Sequence, residues 1–372
     1  MADRPLRVLS IFGTRPEAVK MAPVVARLQQ MESVHSQVCV TAQHREMLDQ
    51  VLALFSIHPD YDLNLMKPNQ TLAGLTAAVF ERLDPVLEKA QPDWVLVQGD
   101  TTTVMAAALG AYYHQIKVGH VEAGLRTGDK WQPFPEEINR RIAGAVADLH
   151  FAPTDWARRN LLKENVPEDS ILVTGNTVID ALQEIAARPF AFDSGPLAGL
   201  NPERRVILVT AHRRENFGKP LLDILTALRQ IAETYPDTLT LVYPVHLNPN
   251  VREPAYAQLG SVPNILLTEP LDYLSMVHLM KRSVLVLTDS GGLQEEAPAL
   301  GKPVLVLREK TERPEAVKAG TARLVGTDPV MILGETRRLL EDPEAYNSMA
   351  KAINPFGDGH AAERITKALL AN

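Results

Sequence analysis

Cysteine is nearly missing from this chain: 372 residues contain one, Cys39. An internal disulfide is therefore excluded, and no Cys/His pattern for structural zinc is present. Cys39 sits in Gln37-Val38-Cys39-Val40 and reads as a small apolar strand residue. Positive charge is not in excess either, with 38 Lys+Arg against 45 Asp+Glu and a formal net charge of −7. With no basic stripe, nucleic acid is not an expected partner. No apolar run approaches the length of a membrane span. No signal-peptide cleavage region precedes the first strand-like run, Leu6-Arg7-Val8-Leu9-Ser10-Ile11-Phe12. A soluble, cytoplasmic protein is the expectation. The glycine turn after that run lacks the G-x-G-x-x-G spacing, so a nicotinamide cofactor is unsupported. Neither cofactor nor metal is expected.

What is present is a regular alternation of short apolar runs with longer helical patterns, the signature of parallel βαβ units. Strands are predicted near 6–12, 36–41, 93–98, 117–121, 148–152 and 170–174, then near 205–210, 239–243, 264–267, 283–288, 303–307 and 323–325. Helices fall between them, for example at 71–89 and 136–147. The length favours two domains over one core. Periodicity is lost over the Pro/Gly-rich stretch 188–202, which reads as the interdomain connection. Two Rossmann-like domains facing a cleft are the simplest architecture.

Ligands of open parallel sheets sit beyond the carboxyl ends of the strands, and several runs end there on chemistry. The run Asp93–Gln98 ends at Gly99-Asp100, and Lys117–Val121 ends at Glu122-Ala123-Gly124. Pro135-Glu136-Glu137 opens the next helix. Three acids at one rim, in a chain without a metal-ligand cluster, point to proton transfer on an organic substrate. For Glu137, a first-turn acid favoured by the helix dipole is explanation enough, and that reading stays open for Glu136.

Anion-binding signals accompany the acids. Gly13-Thr14-Arg15-Pro16-Glu17 is a strand-to-helix turn with a bidentate donor in Arg15. The run 284–288 leads through Asp289 to Ser290-Gly291-Gly292, a phosphate-nest pattern, with Glu296 placed to accept from ribose hydroxyls. A capped helix with acids in its first turns would read the same way. His212-Arg213-Arg214-Glu215-Asn216 follows the strand at 206–211, where His212 can assist a departing diphosphate. Gln43-His44-Arg45-Glu46 follows the second strand similarly. Arg15–Lys20 recurs letter for letter at Arg313–Lys318, either as a shared helix-start signal or as two arginines serving one anionic ligand.

Taken together, these motifs, with His120-Val121-Glu122-Ala123-Gly124-Leu125-Arg126-Thr127 and Phe134-Pro135-Glu136-Glu137, resemble the non-hydrolysing UDP-N-acetylglucosamine 2-epimerase family over nearly the whole chain. The resemblance implies a glycosyltransferase-B type α/β fold, with residues 1–175 plus 359–372 as the N-terminal domain and 176–358 as the C-terminal, UDP-binding domain. It implies interconversion of UDP-GlcNAc and UDP-ManNAc for polysaccharide synthesis, a homodimer, and UDP-GlcNAc as allosteric activator. By the same resemblance Asp100, Glu122, Glu136 and His212 take catalytic roles. Arg15, Lys20, Ser290, Gly291, Gly292, Glu296 and Arg313 take substrate-binding roles, and Gln43, His44 and His246 match parts of an activator site. A glycosyltransferase of the same fold, a hydrolysing epimerase releasing free ManNAc, and a silent nucleotide-sugar-binding regulator are the rival readings.

Overall fold

The structure, a computed structural model, describes residues 4–42, 45–66 and 70–372. Among them, seven strands form a first sheet: β1 Leu6–Phe12, β2 Val34–Val40, β3 Tyr61–Asp62, β4 Trp94–Gln98, β5 Lys117–Val121, β6 Leu149–Ala152 and β7 Ile171–Val173. Their order is β3-β2-β1-β4-β5-β6-β7, and every pairing is parallel. Six more form a second parallel sheet: β8 Arg205–Thr210, β9 Leu239–Pro244, β10 Ile265–Thr268, β11 Leu285–Thr288, β12 Val304–Val306 and β13 Ala322–Leu324. Here the order is β10-β9-β8-β11-β12-β13. A helix separates every pair of successive strands in both sheets, so the expected α/β class, two Rossmann-like units of the glycosyltransferase-B type, is what the chain forms.

Central strands are buried on both faces, as helix-covered parallel sheets require. All five residues of β4 and all four of β11 are buried. The chain divides into two compact units, Met1–Gln183 with Phe356–Asn372, and Glu184–Pro355. The passage from one to the other falls within the helix Thr177–Ala187, and the Pro/Gly-rich stretch 188–202 lies in the second unit. In the first unit the helix Ala361–Ala371 packs on the helix Arg15–Gln29, with Arg27 3.2 Å from Glu363. The expected strands are all present. The short β3 is an addition: two residues pairing with Cys39 and Val40 are too few to show a period.

Strand order fixes where chemistry can stand. In the first sheet the order reverses between β1 and β4, and in the second between β8 and β11. At such switch points the loops leaving the carboxyl ends diverge and open a crevice. The residues that follow these four strands are Gly13-Thr14-Arg15, Gly99-Asp100, Ala211-His212-Arg213 and Asp289-Ser290-Gly291.

Candidate functional site: acids on the first unit, anion-binding groups on the second

In the first unit, Glu122 follows β5 with a backbone φ of +63°, a left-handed conformation uncommon for a residue with a side chain. Its carboxylate accepts from Lys20 Nζ at 2.6 and 2.8 Å, from Gln98 Nε2 at 2.5 Å and from Asn176 Nδ2 at 2.8 Å. Only 5% of the Glu122 side chain is exposed. One cation and two amide donors thus converge on this carboxylate. Lys20, expected among the substrate-binding groups, is thus brought directly onto Glu122.

Asp100 stands beside it after β4 in a different state. Burial pushes its carboxyl up to about 6, the charges of Glu122 and Glu136 add to the rise, and Arg140 and Lys20 oppose it. The side chain keeps 30% of its surface exposed, and Arg140 Nε lies 3.8 Å away. The helix Glu136–Val146 supplies its neighbours: Asn139 Nδ2 donates to the Asp100 carbonyl at 3.0 Å, and the buried Arg140 Nε, in ion-pair range of both Asp100 and Glu137, makes no hydrogen bond among the described residues. Glu122 and Glu136 are therefore both within electrostatic reach of Asp100, with Glu136 partly exposed at the helix start.

Glu137 is a separate case. It is fully buried and carries Arg140 at 3.3 Å and Arg141 at 3.2 Å, while Thr127 and Gly128 donate their N–H groups to it. More than a dipole-favoured acid, it is the anchor of the loop ahead of the helix.

The Gly13 turn also differs from its sequence reading. Gly13 and Thr14 donate their N–H groups to Glu17 Oε2 at 2.8 and 2.7 Å, and Thr101 donates its hydroxyl to Oε1 at 2.6 Å. The acceptor answering this helix start is the chain's own buried Glu17, whose proton affinity burial raises, and the close approach that requires glycine is internal too. A Cβ at Gly13 would lie 2.0 Å from Thr41 Oγ1. Arg15 remains exposed at the first helical position. His120, two residues before Glu122, is buried, with Nε2 2.7 Å from the Gly99 carbonyl, and burial pulls its pKa down to about 4. A neutral imidazole there donates through Nε2 and fixes the turn that carries Asp100.

In the second unit, the helix Gly291–Ala299 begins at Ser290, whose side chain caps nothing. Arg213 and Arg313 approach the first turn: a Cβ at Gly291 would meet Arg213 Nη2 at 3.7 Å and Arg313 at 4.0 Å. Arg313 is also paired with the buried Glu295. Glu296, 9% exposed, accepts from the Tyr273 hydroxyl at 3.2 Å and lies against Gly292. Ser290, Gly291, Gly292, Glu296 and Arg313 are thus brought together, with two guanidiniums around a helix start, an arrangement suited to a diphosphate. The repeated Arg15 and Arg313 open helices in different units.

His212 follows β8. Burial lowers its proton affinity, Asp289 opposes this, and Arg213 and His246 add to the lowering. Its ring stacks on His246, centroids 5.5 Å apart. Of the three expected activator residues, His246 therefore lies beside His212, and Gln43 and His44 fall outside the described residues.

Sequence reasoning missed Arg140, Asn139, Gln98 and Asn176 as neighbours of the acids, and Asp289 as the neighbour of His212. Only Asp289 carried a signal, its place between a buried strand and Ser-Gly-Gly. Among the described residues no group of His, Cys, Asp and Glu is arranged to hold a metal ion, and no helix is long and apolar enough to cross a membrane.

Comparison with known proteins adds a consistent set of likenesses. A family model described as UDP-N-acetylglucosamine 2-epimerase matches residues 26–370. The UDP-N-acetylglucosamine 2-epimerase of Escherichia coli strain K12 is 55% identical, over 99% of this chain and 99% of that protein. The crystal structure of UDP-GlcNAc 2-epimerase from Neisseria meningitidis bound to UDP-GlcNAc is 51% identical, with TM-score 0.88, covering 99% of this chain and 100% of that one. That of Methanocaldococcus jannaschii, in complex with UDP-GlcNAc and UDP, is 34% identical with TM-score 0.81, covering 99% and 100%.

Proposed function

The chain belongs to the UDP-N-acetylglucosamine 2-epimerase family, and from that premise we propose that it interconverts UDP-GlcNAc and UDP-ManNAc without hydrolysis. The proton on sugar C2 is not acidic in the substrate. If the C1–O bond to UDP breaks first, its electron pair leaves with the diphosphate and positive charge grows at C1. The C2 proton then becomes acidic and passes to a carboxylate, leaving a C1=C2 double bond, a 2-acetamidoglucal, with UDP still bound. Protonation of C2 from the opposite face and return of the diphosphate oxygen to C1 complete the inversion. No electron is exchanged with a redox partner.

In this reading the first unit carries the proton chemistry and the second binds the UDP moiety. Arg15 is assigned to the diphosphate, as are Arg313, His212 and the Ser290-Gly291-Gly292 helix start, and Glu296 to the ribose. Lys20 sets the charge of Glu122. The observation that carries the reading is the contrast between two neighbouring carboxyls. Asp100 is pushed up to about 6, chiefly by burial and also by like charge, while Glu122 is paired with Lys20 at 2.6 Å. Environments that set paired carboxyls apart give one acid and one base near neutral pH, which inversion at a single carbon needs.

The family premise also supports a homodimer, activation by UDP-GlcNAc with His246, Gln43 and His44 contributing, cytoplasmic location, and supply of surface polysaccharide synthesis. The test is incubation with UDP-GlcNAc in heavy water followed by NMR. Deuterium at C2 of UDP-ManNAc and of recovered UDP-GlcNAc is expected. A transferase leaves C2 unlabelled, and a hydrolysing epimerase releases free ManNAc and UDP.

A further inference from the structure

Asp289 is fully buried at the end of β11, and its two oxygens are used very differently. Oδ2 accepts three donors: His212 N–H at 2.7 Å, Arg213 N–H at 2.8 Å and Asn216 Nδ2 at 3.2 Å. Three donors thus converge on one of the two oxygens. Oδ1 has no hydrogen-bond partner among the described residues, and His212 Nδ1 is 3.3 Å from it. A buried anionic oxygen without a donor is costly, and the imidazole is the group placed to supply one. The backbone that would set the ring is itself tied down, since Tyr243 donates its hydroxyl to the Ala211 carbonyl at 2.6 Å. The other groups bearing on His212 are Arg213 and His246, neither of which accepts a proton from Nδ1 in this arrangement.

We propose that Asp289 is a positioning residue for His212: it accepts the Nδ1–H, so that protonation changes only at Nε2, the nitrogen left to serve a bound diphosphate. The inference rests on the reading of His212 given above. In the neutral ring Nδ1 then carries the proton. In the imidazolium, Nδ1–H remains on Asp289 and Nε2–H is free to donate to a diphosphate oxygen as the C1–O bond breaks. A carboxylate behind the ring favours the imidazolium when that negative charge arrives. The same carboxylate grips the two N–H groups that follow β8, so ring and loop are set by one residue.

The test uses the full-length protein with ¹⁵N-labelled histidine, the His212 signals being assigned by their loss in His212→Gln. In the unsubstituted protein the neutral ring is expected as the Nδ1–H tautomer. Finding Nε2–H there overturns the proposal without recourse to any further variant. In Asp289→Asn the amide oxygen can still accept from the backbone while its NH₂ faces Nδ1, so the tautomer is expected to switch to Nε2–H. kcat is expected to fall by about 10- to 100-fold with KM changed less than about threefold. In a His212→Gln background, Asp289→Asn is expected to cost less than about twofold more. An equal loss in both backgrounds would show that Asp289 merely holds the loop, and would overturn the proposal. Full activity in His212→Gln would instead sink the functional reading of His212, while the tautomer measurement still decides what Asp289 does.

Discussion

Lys20 and Glu122, 102 positions apart in the chain, meet with Nζ 2.6 Å from Oε1 and with 18% and 5% of their side chains exposed. Breaking one side of such a pair leaves an uncompensated charge in a desolvated place. Lys20→Met is expected to destabilise the protein by about 3 kcal/mol, read as a lower urea midpoint with an unchanged m-value. Adding Glu122→Gln should restore most of that stability, because the buried charge is gone. Turnover should be lost in both variants.

Asp100 gives a pH dependence with an unusual sign. Its proton affinity is raised in the folded state, to about 6 from the ordinary aspartate value of 3.8. The folded protein therefore binds the proton more tightly than the unfolded chain between those values, and stability falls as pH rises through that window. Asp100→Asn should be more stable than the parent above pH 6 by about 1–2 kcal/mol, a discounted figure because part of the side chain is exposed. The difference should vanish below about pH 4, where both states are protonated. Denaturant melts at pH 3.5, 5 and 7.5 check this; an equal gain at all three pH values would refute it. Turnover should drop by at least about 100-fold at every pH.

Two adjacent glutamates should separate cleanly. Glu137→Gln weakens the hold on two arginines and two backbone N–H groups and is expected to cost about 2–4 kcal/mol. Glu136→Gln, at a partly exposed first-turn position, should change stability by less than about 0.5 kcal/mol while lowering kcat by about 100-fold. Parallel denaturation and turnover measurements on the two variants test the distinction; a stability loss in Glu136→Gln as large as in Glu137→Gln would contradict it.

Gly13→Ala should be severe for a reason unrelated to ligand. The added Cβ would lie 2.0 Å from Thr41 Oγ1 and 2.9 Å from Thr103 Oγ1. A loss of about 1–3 kcal/mol is expected. Thr41→Ala should recover part of it by removing the nearer oxygen, and a failure to recover in thermal melts would point to another cause.

Much of this molecule is legible in one sequence because its sheets are parallel and covered on both faces. The run Val284–Leu287 is recognisable without alternation, and so is Val206–Val209. Once strands are placed, the rule about carboxyl ends puts Asp100, Glu122, His212 and Ser290 at ligand-facing rims before any coordinates are seen. What one sequence does not disclose is who answers whom. Glu17 and Glu137 look like ordinary first-turn acids, yet each is buried and gathers donors from other segments. Arg140 shows no pattern at all; it matters because its helix lies against the turn after β4. These are long-range pairings, and local periodicity carries no information about them.

The helix Ala361–Ala371 belongs to the first unit, although the 172 residues from Glu184 to Pro355 intervene. On a ribosome that emits the chain vectorially, the first sheet appears early yet cannot be fully covered until the whole second unit has followed it out. Until then the apolar side of Arg15–Gln29 that this helix covers is open to water, so nascent chains stalled before residue 356 are the species expected to recruit chaperones.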